Sequence, residues 1–101
     1  MTDQTGTLIY SARALADIER AFEFHLERDA LSALKAAAAI RHAVEALATH
    51  PLIGRRITGG LRELVISFGS TGYVALYHFV PERAEIWVLG IRRQRELDYA
   101  G

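Results

Sequence analysis

The 101-residue chain contains no cysteine, only two prolines and a single lysine. The absence of cysteine excludes a disulfide framework and a thiolate metal site. No apolar run approaches the length of about 20 residues that a membrane-spanning helix needs, and the polar first residues lack the basic and apolar regions of a signal peptide. We therefore expect a cytoplasmic protein that does not associate with membranes.

The motifs that mark common enzyme and cofactor sites are also missing. There is no glycine-rich phosphate loop and no Gly-x-Ser-x-Gly elbow. The histidines do not follow the spacing of a metal site; they are His25, His42, His50 and His78. The residues themselves therefore predict no catalytic residue, no metal and no cofactor.

Charge gives only a weak signal. The chain carries 12 basic and 12 acidic side chains, with a net charge of −2 in residues 1–50 and +2 in residues 51–101. A neutral chain is not a general nucleic-acid binder, so we expect no direct sequence-specific contact with nucleic acid. The length suits one domain spanning residues 1–101, and an apolar content of 50% is enough for one core.

The first half of the chain predicts a strand followed by a helix. Residues 7–10 read as a short strand, and Ser11 stands where the N-cap of a helix over residues 12–27 is wanted. Asp17 falls on the face of this helix that we expect to be solvated. The apolar stripe that we expect to face the core is Leu15, Ile18, Phe22 and Leu26.

A second helix is predicted over residues 30–49, with Asp29 as its N-cap and Pro51 ending it. The short link between the helices predicts an antiparallel hairpin. The apolar stripe expected on this helix is Ala33, Ala37, Ile40, Val44 and Leu47.

The second half of the chain predicts a three-stranded meander. After a loop over residues 53–60, strands are expected at 61–68, 73–80 and 85–91, joined by short turns. In the last strand, simple alternation places Ile86, Val88 and Gly90 on one face and Trp87, Leu89 and Ile91 on the other. The fold class is thus α+β in the order β-α-α-β-β-β: the hairpin covers one face of a small antiparallel sheet, and the first strand joins an edge of it.

Arginines at the ends of strands are the strongest candidates for a binding surface. Arg62 begins the first strand of the meander, and Arg92, Arg93 and Arg95 follow the last one, with Tyr99 close behind. Arginine suits carboxylate and phosphate partners. Those two strands run in the same direction, so Arg62 and Arg92 are expected at opposite ends of the sheet. The alternative is that all of these arginines are merely solvated strand ends.

Four segments in a fixed order resemble a known family. They are Pro51-Leu52-Ile53-Gly54-Arg55, Leu61-Arg62-Glu63-Leu64, Tyr73-Val74-Ala75-Leu76-Tyr77 and Ile91-Arg92-Arg93-Gln94-Arg95. Together with the leading strand and the hairpin, they resemble the ParE branch of the RelE/ParE toxins of bacterial type II toxin–antitoxin modules. The resemblance implies a non-enzymatic poison of DNA gyrase, a role in plasmid stabilisation, and a complex with a cognate antitoxin.

Two alternatives to this function stay open. RelE-like members of the superfamily are ribosome-dependent messenger endoribonucleases, and their pattern places an arginine directly after the aromatic residue that opens the third strand. Here that aromatic residue is Tyr73 and the next residue is Val74, while the only lysine, Lys35, falls on a helix. The pattern therefore disfavours the ribonuclease, although Arg62, Arg92, Arg93 and Tyr99 form a reduced set of candidate residues. The other alternative is an interaction module that has lost its toxicity.

Overall fold

A computed structural model describes residues 5–94, apart from the side chain of Thr71. The elements are β1 Thr7–Tyr10, α1 Ala12–Leu26, α2 Ala30–Glu45, β2 Arg55–Arg56, β3 Leu61–Phe68, β4 Thr71–Val80 and β5 Glu85–Arg93. The predicted α+β class and the order of its elements are confirmed. Within the predicted loop over residues 53–60, the two-residue strand β2 is an addition. No helix between residues 5 and 94 is both long enough and apolar enough to cross a membrane.

The five strands of the described chain form one sheet in the order β1-β5-β4-β3-β2. The strands β2 to β5 are antiparallel to their neighbours, whereas β1 joins the edge of β5 in the parallel direction. The prediction that the first strand lies at an edge is therefore confirmed, and the complete sheet is mixed. Helices and sheet share one core, whose largest fully buried side chains are Tyr73, Tyr77, Ile40, Leu47, Ile86, Val44 and Val88.

Both predicted helix caps are present. The hydroxyl of Ser11 accepts a hydrogen bond from the amide of Ala14 at 3.0 Å, and the carboxylate of Asp29 accepts one from the amide of Ser32 at 2.7 Å. The bond from the Ser32 amide also holds the pKa of Asp29 below its ordinary value. Each cap satisfies an amide that the first helical turn leaves without a partner. The two caps thus fix the start of each helix at the residue that the sequence indicates.

The predicted core face of α1 is confirmed only in part: Ile18 packs against the core and Phe22 is half-buried, but the two leucines of the stripe are exposed. Leu15 and Leu26 are 55% and 46% exposed, whereas Ala14, Asp17 and Ala21 are buried. The two alanines let the helix approach the sheet closely, and Asp17 is buried because its carboxylate bonds to the sheet edge. A prediction from the size of apolar side chains alone therefore misplaces the face of α1 that contacts the sheet.

The second helix follows its prediction more closely. Four of the five predicted stripe positions are buried, and Ala37 is half-buried. The helix ends at Glu45, earlier than predicted, and a single 3₁₀ turn over Ala46–Ala48 leads to Pro51. This turn keeps Leu47 in the core.

A β-bulge in β5 determines which side chains line the site. Leu76 pairs with Gly90 but its neighbour Tyr77 pairs with Val88, so β5 contains one extra residue, Leu89. Beyond the bulge, Ile91 lies on the same face as Val88 and is buried. The simple alternation expected for this strand is therefore wrong from Gly90 onward, because a bulge reverses the faces of the residues that follow it.

Candidate functional site: an arginine-lined cleft between α1 and the end of β5

Asp17 joins α1 to the exposed edge of β5. The strand β1 pairs with β5 only as far as Val88, so the next part of that edge needs other partners. The hydroxyl of Ser11 donates to the carbonyl of Leu89 at 3.1 Å, and the amide of Ile91 donates to Oδ2 of Asp17 at 2.9 Å. Two side chains of one helix therefore take over the bonding that a longer β1 would have supplied.

The same carboxylate pairs with two arginines. Oδ1 of Asp17 bonds to the guanidinium of Arg20 and lies 3.7 Å from Nε of Arg13. The side chain of Asp17 is only 6% exposed, whereas those of Arg13 and Arg20 are 68% and 66% exposed. Asp17 is thus the buried anchor of two solvent-accessible cations.

Arg92 and Arg93 face these cations across a cleft of about 630 Å³. The lining residues are Arg13, Asp17, Arg20, Ala21, Glu23, Phe24 and Glu27 from α1, Tyr73 from β4, and Ile91, Arg92 and Arg93 from β5. Among residues 5–94, no carboxylate lies within ion-pair distance of Arg92 or Arg93. The cleft is therefore lined by four arginines, and of its three acidic residues only Asp17 is buried.

Aromatic side chains form the other end of the cleft wall. The guanidinium of Arg93 lies over the ring of Phe24, 4.4 Å from its centroid. The ring attracts this cation electrostatically. Next to them, Nε2 of His25 is hydrogen-bonded to the hydroxyl of Tyr73 at 2.9 Å. Desolvation lowers the pKa of His25, and the positive charges of Arg28 and Arg93 lower it further, while Asp29 acts in the opposite direction.

A second cleft of about 320 Å³ lies on the opposite sheet face, which carries Val74 and Leu76. Its strand-derived walls are mainly aliphatic, with Arg13 and Arg92 at the rim. Glu63, its acidic lining residue from β3, is bonded to Arg55 at 2.6 Å. The position beside Arg92 in the sheet is occupied by Val74, the residue paired with it across the strands.

Arg62 is separated from the other predicted arginines and has a structural role. Its Nη1 donates to the carbonyl oxygens of Leu52 at 3.1 Å and Gly54 at 2.8 Å. The hydroxyl of Tyr77 fixes the same loop by accepting from the Gly54 amide at 2.9 Å and donating to the Pro51 carbonyl at 2.8 Å. Burial raises the pKa of this hydroxyl, although the Gly54 amide and Arg62 act in the opposite direction.

The structure thus brings together only part of the predicted site. Arg92 and Arg93 share one cleft, Arg62 lies apart from it, and Arg95 and Tyr99 lie outside the described residues. The sequence interpretation missed Arg13, Asp17 and Arg20, although the Arg-x₃-Asp-x₂-Arg spacing that places them on one helix face was available as a signal. Within residues 5–94, no three His, Asp or Glu side chains are grouped as a metal site would require.

Comparison with known proteins identifies the family. The sequence model described as ParE toxin of type II toxin-antitoxin system, parDE, matches residues 8–98. Toxin RelE3 of Caulobacter vibrioides is 36% identical over 74 residues, which cover 73% of this chain and 80% of that protein. Toxin RelE1 of the same organism is 32% identical over 82 residues, which cover 81% and 88%.

A solved structure shows the same fold. A chain of the chromosomal ParDE TA system from P. aeruginosa superimposes with a TM-score of 0.75 at 23% identity, covering 90% of this chain and 98% of that one. The chain accordingly belongs to the ParE toxin family of type II toxin–antitoxin systems, within the RelE/ParE superfamily. The family resemblance predicted from the four sequence segments is confirmed.

Proposed function

We propose that this protein acts in the cytoplasm as a ParE-like toxin that inhibits DNA gyrase by binding, without chemistry of its own, and that a cognate antitoxin neutralises it. The observation that carries the proposal is the dispersal of the residues that a ribonuclease would need. Arg62 is bonded to loop carbonyls, away from the cleft that holds Arg92 and Arg93. A surface that only binds its target does not need these residues to meet at one point.

The electrostatics of messenger cleavage support the same choice. Cleavage at a 2′-hydroxyl needs a base and cations placed around the phosphate in its transition state. Val74, paired with Arg92, stands where the nuclease pattern has arginine. It is buried and uncharged. Removal of one such stabilising contact typically costs about 10²–10³ in rate, so this sheet face is poorly equipped for the reaction.

The ribonuclease is the second candidate function. The two curated relatives reported above carry the name RelE, and the arginine-lined cleft has His25 near one end. In this alternative, Arg92 and Arg93 stabilise the phosphate of the messenger. A side chain near the cleft then accepts the proton of the 2′-hydroxyl.

The decisive experiment runs a gyrase supercoiling assay beside a ribosome-dependent messenger-cleavage assay on the same purified protein. We expect inhibition of supercoiling and intact messenger. Charge reversal of Arg92 and Arg93 to glutamate is expected to abolish the inhibition and growth arrest, because the contact surface for the target is lost. Arg41→Glu, a charge reversal on the far helix α2, is the matched control. All three proteins are compared by melting temperature.

The opposite outcome is equally clear. Codon-specific cuts that require the ribosome, with unaffected supercoiling, would replace the gyrase proposal by the ribonuclease. Inactivity in both assays together with normal folding would indicate an interaction module without toxicity.

The antitoxin is proposed to cover apolar side chains on the two helices. The exposed leucines of α1 and α2 are Leu15, Leu26, Leu31 and Leu34, with exposed fractions between 46% and 59%. An amphipathic segment that folds on binding would bury such side chains. Co-expression with the product of the neighbouring reading frame is expected to restore growth and to give a stable complex on a sizing column. If that product neither rescues growth nor co-elutes, the partner assignment is wrong.

A further inference from the structure

The strand β3 has a free edge along its second half. On this side of β3, the short strand β2 pairs with it only as far as Glu63, and β2 is the last strand of the sheet. Among residues 5–94, no strand therefore lies beside residues 64–68 on that side. The chain then turns toward β4 at Gly69. Residues 64–68 are called the free edge below.

Two residues of the free edge direct their backbone groups away from the sheet. At the start of β3, the amide of Ile57 donates to the carbonyl of Leu61 at 2.9 Å, so the backbone of Leu61 faces the side of β2. This direction repeats at every second residue of a strand, and it places the N–H and C=O groups of Val65 and Ser67 on the free side. Within the described chain, no strand or side chain bonds to these groups. Their partners must be water or another chain.

The free edge also lacks the features with which proteins usually protect the edge of a sheet. Those features are charged side chains, proline and β-bulges. Residues 64–68 read Leu-Val-Ile-Ser-Phe, and their register with β4 is regular. Val65 is 58% exposed although it is apolar. The free edge is therefore suited to pair with another strand, and it carries no charge that would repel one.

A second copy of this chain matches the free edge in both length and register. Strand β2 limits the edge at one end and the turn at Gly69 limits it at the other, so there is room for a segment as long as the free edge itself. Two such edges can pair in the antiparallel direction about a two-fold axis at Ile66. Val65 of each copy then lies opposite Ser67 of the other, and their outward-facing backbone groups bond to one another. At the two ends, Leu64 lies opposite Phe68, which is a favourable apolar pair.

We propose that two copies of this chain pair through their free edges into a two-fold symmetric dimer, in which the two sheets become one across β3. A two-fold contact uses the same surface on both copies, so it closes and does not grow into a fibre. Strand β4 separates β5 from this interface. Arg92 and Arg93 therefore lie away from the interface, and the dimer carries two arginine-lined clefts. This self-association is independent of which target the toxin has.

The test is sedimentation of the purified full chain over a range of concentrations without antitoxin, together with hydrogen exchange at single amides. We expect a reversible dimer in which the amides of Val65 and Ser67 exchange slowly. Ser67→Pro removes one donor from each copy and no bond to β4, because proline is tolerated where the amide faces away from the sheet. It is expected to weaken dimerisation on the order of tenfold or more. Val65→Lys places a charge at the interface and is expected to weaken dimerisation as well. The matched control, Leu15→Lys, changes a similarly exposed apolar residue on α1 and is expected to dimerise within about twofold of the parent.

A double substitution tests the register. In Val65→Lys/Ser67→Glu, each lysine lies opposite the glutamate of the other copy, and such cross-strand pairs are favourable. Dimerisation is therefore expected to recover relative to Val65→Lys alone. Melting temperatures of dilute samples show whether each variant folds, and Val65→Lys carries the test if Ser67→Pro does not fold.

Three results would overturn the dimer. One is a parent chain that stays monomeric at every concentration. Another is a dimer that neither Val65→Lys nor Ser67→Pro weakens, because the two copies would then meet elsewhere. The third is slow exchange at Val65 and Ser67 in a monomer, or only after antitoxin is added, because the free edge would then pair with a different strand. A double variant that does not recover would overturn the two-fold register.

Discussion

Replacement of Asp17 by alanine tests how α1 is attached to the sheet. The substitution leaves the amide of Ile91 without its acceptor at 2.9 Å, and a buried orphaned donor costs about 1–3 kcal/mol. The pairs with Arg13 and Arg20 add less than about 1 kcal/mol each, because both arginines are two-thirds exposed. Alanine also favours the helix by about half a kcal/mol. The expected net loss is about 1–3 kcal/mol of the free energy of unfolding.

Such a loss is measurable in a domain of this size. A change of 1 kcal/mol shifts the melting temperature by about 4–8 °C, so Asp17→Ala is expected to melt at least about 4 °C below the parent. Asp17→Asn keeps an oxygen that accepts from Ile91 and is expected to lose about half as much. Glu19→Ala, an exposed acid on the same helix, controls for helix propensity. Faster hydrogen exchange at the Ile91 amide is the site-specific readout, and an Asp17→Ala protein with parental stability and exchange would refute the anchoring role.

Two further predictions concern the loop anchor and the aromatic end of the cleft. Tyr77→Phe leaves the Gly54 amide and the Pro51 carbonyl without their shared partner and is expected to cost about 1–3 kcal/mol in denaturant unfolding; an unchanged midpoint would show that the loop finds water instead. His25 has a lowered pKa in the fold, so the unfolded chain binds its proton more readily. The contribution of neutral His25 to the free energy of unfolding is therefore complete above its ordinary pKa of about 6.5. This contribution is lost as the pH falls toward the lowered pKa of the folded protein. Thermal melts of His25→Gln are expected to show a flatter pH dependence in that window, and a slope equal to that of the parent would contradict the assignment.

The sequence was sufficient to predict the architecture because local signals agreed with one another. Ser11 and Asp29 cap the helices they were predicted to cap, and strand β3 begins and ends at the predicted residues. The failure on α1 has a physical cause. Leu15 and Leu26 have the greater hydrophobicity, but the close approach to β5 favours Ala14 and Ala21, and the burial of Asp17 depends on a partner 74 residues away in the sequence. The periodicity of α1 cannot predict a partner on another element such as Ile91.

The candidate site was only half predictable for a related reason. The sequence indicated Arg92 and Arg93 because they follow the strand predicted over residues 85–91; in the structure β5 continues through both of them. The sequence could not show which element would face them. That depends on β1 being parallel to β5 and ending beside Val88, because this early end leaves the remaining edge of β5 to α1. A longer β1 would pair with Ile91 and displace Asp17 together with its two arginines.

The bulge at Leu89 decides which face of the sheet each of the two arginines occupies. Alternation counted from the core residue Val88 would turn Arg92 toward the core and Arg93 away from it, since successive side chains of a strand point to opposite faces. The extra residue reverses this, so Arg92 pairs with Val74 on the outer face and Arg93 pairs with Tyr73 on the helix-covered face. Arg93 can therefore stack on Phe24 of α1, while Arg92 stays exposed at the rim of both clefts. One inserted residue thus converts what would be a buried arginine into a solvent-accessible cation, as the proposed contact with gyrase requires.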